Sequence, residues 1–274
     1  MASRRHFLRY LLGAAVLGAA ACYPLFIERR MVVQTFTRIP IPNLPPALRG
    51  FRIVHLTDLH HGFLMPLNAI RGVVQRVNRI PRDVVVCTGD YVHARNSTVE
   101  IDRVWPELAG LSAPGGVYAV LGNHDHWADT ERSCYWMART GQDLRGRVTT
   151  IEKAGSRLWL TGGGDCWEDH IPFDDLLGRV PEDECRIMLV HNPDSADTTY
   201  RGHIDLILAG HTHGGQVRLP FLGAPVLPVH NKTYDSGLVR TRKGQRMFIS
   251  RGIGWTMYPV RFNCPPEIAV LELV

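Results

Sequence analysis

Two histidines one residue apart, His211 and His213, follow the apolar run Leu206-Ile207-Leu208 in the segment DLILAGHTHGG. Imidazoles at this spacing serve as metal ligands or as acid–base groups, although either one alone reads as a hydrogen-bonded structural residue. Four other apolar runs end in the same kind of residue. RIVHLT leads into Asp58 and His60, VVVCTG into Asp90, YAVLG into Asn123, His124 and Asp125, and IMLV into His191. Strand ends of an open α/β sheet converge on one crevice, so these segments predict a single site. The imidazoles of His60, His191, His211 and His213, the carboxylates of Asp58 and Asp90 and the amide of Asn123 form a nitrogen and oxygen donor set without thiolate. Such a set suits Mn, Fe, Zn or Ni rather than soft copper or an iron–sulfur cluster. Seven donors exceed one tetrahedral ion and fit two divalent ions that share a bridging group. Asp90 is the natural bridge, because Gly89 lets the backbone come close. The ions outweigh the two aspartates in charge, which would attract a phosphate and acidify a bridging water into a nucleophile toward phosphorus.

The elements that must position these residues alternate. Strands are predicted at residues 51–57, 83–89 and 116–123, with helices between and after them at 66–80, around Ile101 to Leu111, and at 131–140. Leu67, Ile70, Val74, Val77 and Ile80 supply the buried face of the first helix. Two short paired strands follow in the middle of the chain, at 148–151 and 157–162; then come strands at 186–192 and 205–211, and RMFIS and EIAVLEL in the tail. This order indicates an α/β fold with mixed sheets. His211 and His213 are expected in an extended continuation of their strand, on one side of it. Residues 31–50, with closely spaced prolines, read as an extended lead-in, and residues 51–274 as one domain.

The formal net charge of +5 is spread along the chain and suits an anionic substrate or a membrane surface. No basic run with interleaved aromatics argues for nucleic acid. Six scattered cysteines include no C-x-x-C pair. At the start, SRRHFLR precedes the apolar run Tyr10 to Ile27. Residues 1–30 therefore read as a twin-arginine-type signal, engaging that export machinery, or as an uncleaved membrane anchor, and as lying outside the fold. Either role places the protein across the cytoplasmic membrane, on its periplasmic or extracellular face.

In order, DLHHG, GDYV, GNHDHW, LVHNPD and GHTHGGQ resemble the calcineurin-like metallophosphoesterases. RLPFLGAPVLP, the pair Tyr234 and Gly237, and RFNCPPEIAVLEL resemble one branch of that family. That branch holds signal-bearing phosphodiesterases similar to UDP-2,3-diacylglucosamine pyrophosphatases. The resemblance implies a four-layer αββα sandwich, two mixed β-sheets flanked by helices. It assigns one ion, manganese first and iron, zinc or magnesium after it, to Asp58, His60, Asp90 and His213. The other goes to Asp90, Asn123, His191 and His211. His124 would meet the substrate phosphate as leaving-group acid or charge stabiliser, and Asp125 would orient it. His61, His93, His126 and Asp165 lie near the motifs without an assigned role, and the apolar stretch 220–229 is expected as a packed loop or a lipid-facing lip. The reading is a binuclear phosphodiesterase or pyrophosphatase whose substrate is lipid-linked, such as UDP-2,3-diacylglucosamine. Its rivals are a phosphomonoesterase and a metal-binding surface protein without catalysis.

Overall fold

A computed structural model describes residues 22–42 and 44–274, with positions 4, 6, 8–11, 13 and 18 before them. Part of the signal or anchor expected over residues 1–30, including residues 14–17 and 19–21 of its apolar run, lies outside the described residues. Among those described, no helix is long and apolar enough to cross a membrane.

Among the described residues, eleven strands form two sheets. The first has the order β1-β11-β2-β3-β4, with β1 at Val33–Ile39, β2 at Arg52–Leu56, β3 at Val84–Cys87, β4 at Val117–Ala119 and β11 at Glu267–Leu273. The second has the order β5-β6-β7-β8-β10-β9. Its strands are β5 Val148–Lys153, β6 Ser156–Gly164, β7 Cys185–Val190, β8 Leu206–Ala209, β9 Gly237–Arg240 and β10 Arg246–Ile249. Both sheets are mixed: β2, β3 and β4 run parallel to one another, as do β6, β7, β8 and β10, while β11 is antiparallel to β2 and β5 and β9 close the second sheet antiparallel.

Period-two alternation sends each strand's side chains to two cores. In β3, Val84 and Val86 join Leu160, Ile187, Leu189 and Leu208 between the sheets. Val85 and Cys87 face the other way, toward the outer helices α1 (Leu67–Val77), α2 (Val99–Leu108) and α3 (Asn123–Thr140). Met188, Ile207 and Met247 of the second sheet pack outward beneath the short helix α4 (Phe173–Leu177). Strands buried on both faces need continuous apolar runs, which is why VVVC and LILA lack alternation. The layers are helices, sheet, sheet and a thin helical layer, as expected of the αββα sandwich.

Three local expectations change. The lead-in is extended, but it is also a strand of the first sheet: β1 pairs in parallel with β11 from Val33 and Glu267 to Ile39 and Leu273. Residues before it also belong to the fold. Glu28 is buried, and its Oε1 accepts the Cys264 N–H at 2.6 Å. The fold therefore begins before residue 51, because the partners of these residues lie more than 200 positions away. Finally, α3 starts at Asn123 rather than near residue 131. It bends at Asp129 (φ −172°, ψ 108°), whose carboxylate accepts the Arg132 N–H at 2.8 Å and caps the second segment.

Candidate active site and metal centre

The loops that leave β2, β3, β4, β7 and β8 meet at one end of the sandwich, and among the described residues their side chains form two trios that contain a carboxylate, bordered by a third of imidazoles alone, His60, His93 and His124. In the first, Asp58, His60 and His213 converge: Nε2 of His213 lies 3.3 Å from Asp58 Oδ1 and 3.0 Å from His60 Nε2. In the second, Asp90, His191 and His211 converge, with His191 Nε2 3.3 Å from Asp90 Oδ2 and 3.1 Å from His211 Nδ1. Asp90 belongs to both, since the same Oδ2 is 3.4 Å from His60 Nε2. One oxygen, not two, faces both trios. The other, Oδ1, accepts the His124 N–H at 2.9 Å at the start of α3.

Asn123 joins them from the first position of α3. Its Oδ1 is buried and has no hydrogen-bond partner among the described residues. An orphaned buried carbonyl beside two trios of imidazole and carboxylate is the vacancy in bonding that a cation fills. Hydrogen bonds behind the rings fix which nitrogen faces the site. Nδ1–H of His191 donates to Thr88 O at 2.7 Å, which turns Nε2 toward Asp90 and the site. Nε2–H of His211 donates to Pro228 O at 3.0 Å, leaving Nδ1 inward.

The electrostatics agree. Burial pushes the Asp58 carboxyl up to about 6, with the charge of Asp90 adding to the effect. Burial also works against the charge of Asp90, but His191, His124 and His60 win and hold it well below the ordinary carboxylate range. His60 and His213 are held well below the usual imidazole range, and His211 is pushed down to about 3, in each case chiefly by burial. His191 goes the other way: burial opposes its charge, but Asp90 beside it pushes the ring up to about 10, so a cation bound there would take the place of its proton. Three neutral imidazoles, a fourth that gives up its proton to metal, and two buried carboxylates form a donor set that suits divalent ions.

The backbone is bent to make the site. Asp58 (φ 54°), His60 (φ 49°), Asp90 (φ 57°), His211 (φ 68°) and His213 (φ 51°) all occupy the left-handed region. For residues other than glycine this costs on the order of 1–3 kcal/mol each, and it concentrates at functional sites. His211 and His213 are thus not an extended pair: each sits at a left-handed position of a tight turn, which sends one ring to each trio. Gly122 is required by contact, since a Cβ there would collide with Asp90 Oδ1 and His191 Nδ1.

All seven predicted ligand residues and His124 therefore meet. Asp125 is beside them but does not orient His124. Its carboxylate faces backbone: Oδ2 accepts the N–H of Asp90 at 2.8 Å and of Gly122 at 2.9 Å, and Oδ1 accepts that of Tyr91 at 2.9 Å. His124 is set instead by its Nδ1–H, which donates to His93 O at 3.0 Å, and by packing on His93 and Trp127. Its Nε2 is left for the cleft. His61 faces away, toward Met65 O, and His126 lies 3.1 Å from Asp169. Asp165 caps its own loop by accepting the Trp167 and Glu168 N–H groups.

The cleft has a volume of about 360 Å³. Three of its features were not read from the sequence. Trp167 stands edge-on to His211, with centroids 4.6 Å apart. Arg95 lies over Trp127, 3.9 Å from the ring centroid. Behind the metal loop, the buried guanidinium of Arg261 ties His213 O, Arg251 O and Gly254 O together. Of these, only Trp167 lies close to a residue singled out in the sequence, Asp165, whose carboxylate accepts the Trp167 N–H.

Residues 51–215, which carry both trios, match the calcineurin-like phosphoesterase family, and the chain belongs to it. It is a metal-dependent phosphoester hydrolase. It is 33% identical over 283 residues to the phosphodiesterase YaeI of Escherichia coli (strain K12), covering 100% of both chains. It is 32% identical over 279 residues to YkuE of Bacillus subtilis (strain 168), an uncharacterized metallophosphoesterase, covering 99% of this chain and 97% of that one.

Proposed function

We propose that the protein is a binuclear phosphodiesterase or pyrophosphatase, with manganese the first choice of metal. The observation that carries this reading is the single Asp90 Oδ2 standing between His60 and His191. Asp58, His60, Asp90 and His213 would hold one ion, and Asp90, Asn123, His191 and His211 the other. When bound, the ions supply Lewis acidity, polarising phosphoryl oxygens and acidifying water. The chain's own residues do the rest. His93 O holds the His124 ring by Nδ1, so that Nε2 is the atom able to give a proton to the leaving oxygen. Trp127 and Trp167 wall the cleft and limit water at the reacting phosphate.

A diester fits better than a monoester. Among the described residues Arg95 is the one Lys or Arg lining the cleft, and a dianionic terminal phosphate calls for more. A non-catalytic metal protein has no use for a histidine held over the cleft outside the ligand set. The lipid-linked substrate rests on the rim, where Phe221, Leu222, Val226, Met257 and Tyr258 are exposed while Pro228 and Met257 line the cleft. Export by the twin-arginine route, or anchorage at the outer membrane face, rests on Arg4-Arg5 and the apolar run after them.

The test is turnover of a bis-aryl phosphodiester against the matching aryl monoester by the manganese-loaded protein, with Asp90→Asn as control. Diester preference lost in the variant is expected. Monoester preference would overturn the reading. The lip is tested with Phe221→Ser and Leu222→Ser together, which should slow hydrolysis of an acylated diester and spare the soluble one; equal effects on both would remove the lipid assignment.

A further inference from the structure

A second and larger cavity, of about 660 Å³, shares no lining residue with the catalytic cleft. It lies where the N-terminal segment joins the domain, between Arg29, Arg30, Trp255, the loop after His61, and α1 and α2. Arg29 is its odd member. The side chain is 6% exposed, yet Nε and Nη1 have no hydrogen-bond partner among the described residues. Its guanidinium stacks 4.6 Å from the centroid of Trp255, which also lines the cavity. A cation–π contact offsets part of the cost of burying a cation, but it leaves the N–H donors unused. An anion is the missing partner. Arg30 and Arg103 line the same space against a single carboxylate, Glu100.

The remaining walls are apolar, supplied by Val32, Met65, Ala69, Val73 and Ile253. An ion alone would leave them uncovered. His61 adds a polar requirement: its Nδ1–H donates to Met65 O at 3.0 Å, so the buried and unpartnered Nε2 is an acceptor. A hydroxyl suits it. Immediately before Arg29, the turn Tyr23–Ile27 exposes Leu25, Phe26 and Ile27, an apolar surface of the kind that enters a bilayer.

We propose that this cavity binds an anionic phospholipid with a hydroxyl-bearing headgroup, its phosphate on Arg29 and its first acyl carbons along Ala69 and Val73. The site is distinct from the catalytic one and independent of which diester the enzyme hydrolyses.

Calorimetric titration of the metal-loaded full chain with dihexanoyl phosphatidylglycerol below its micelle concentration tests this. Excess inorganic phosphate in the buffer fills the metal centre and any simple ion site. One saturable equivalent should bind, and dihexanoyl phosphatidylcholine should bind about tenfold more weakly or worse, since it lacks both the net charge and the hydroxyl. Arg29→Met should weaken binding by a similar factor, and Ala69→Trp, which fills the apolar wall, should abolish it. Both variants should keep wild-type turnover of the bis-aryl phosphodiester, which also shows that they are folded. Absence of binding in phosphate buffer would mean a plain ion site and would overturn the proposal. So would equal affinity for the two lipids, or wild-type affinity in Ala69→Trp.

Discussion

Asp125 holds Asp90 by the backbone: its Oδ2 accepts the Asp90 N–H at 2.8 Å while its Oδ1 accepts the next N–H, that of Tyr91. The carboxylate shared between the two trios is thus aimed by a second carboxylate that touches neither trio. Asp125→Ala would orphan three buried N–H groups, at about 1–3 kcal/mol each, out of a total stability of roughly 5–15 kcal/mol. A lower melting temperature and metal affinity reduced about 10–100-fold are expected, with turnover partly recovered by excess metal. Thermal denaturation and metal titration measure both; an unchanged melting point would refute the clamp.

Asp90→Asn acts on the shared atom itself. It should reduce bound metal from two ions per chain to one and cut kcat by a factor of ~100 or more. Elemental analysis of the purified variant gives the first number. Retention of two ions with normal turnover would exclude Asp90 as the bridge.

For His124→Ala the pattern should differ, because the ring lies outside the two carboxylate-bearing trios and meets them only through His60. Metal content should stay at the wild-type value while kcat falls about 10²–10⁴-fold. If the ring protonates the leaving group, the loss grows with the pKa of the leaving alcohol. A loss independent of leaving group across a series of aryl diesters would leave His124 as a charge stabiliser instead.

Chelation should abolish turnover and lower the melting temperature, and manganese at about 100 times its dissociation constant should restore about 2.7 kcal/mol. Because imidazole and carboxylate bind metal in their deprotonated forms, affinity should fall as pH is lowered. Calorimetric titrations in buffers of different ionisation enthalpy would detect the released protons, and their absence would contradict the assigned ligands.

Asp169 offers a pH test away from the metal. Burial opposes its charge, but the His126 ring 3.1 Å away and hydrogen bonds from the Arg145 guanidinium hold the carboxyl below its ordinary value. A depressed carboxylate stabilises the fold above the unfolded-state value near 4 and loses that contribution as pH falls further. Asp169→Asn should therefore melt lower than wild type at pH 7, with the gap closing below about pH 4. A gap that persists into acid would assign the loss to packing.

The ligand set was legible because parallel strands deliver their C-terminal residues to one place. Five polar endings on buried runs are hard to explain otherwise. The helix at Leu67–Val77 was legible from its apolar stripe. What escaped depends on distant partners or on backbone torsions. The turns that put His211 and His213 at positive φ leave no mark in side-chain periodicity, so an extended pair was expected. Asp125 looked like a partner for its neighbour His124, whereas its true partners, at Asp90 and Tyr91, lie over thirty residues earlier. Trp167 over His211 and Arg261 behind His213 are likewise contacts between segments remote in sequence.

The last strand, β11, is inserted between β1 and β2 in the interior of the first sheet. Until residue 273 has left the ribosome, β1 has no neighbour and β2 has an open edge, so the growing chain cannot close this sheet. The two trios stand on loops of β2, β3, β7 and β8, and the sheet that carries the first two of these loops stays open until β11 has been inserted. Loss of even the final turnless stretch, Glu267–Leu273, should leave a full set of ligand residues on a polypeptide unable to bring them together.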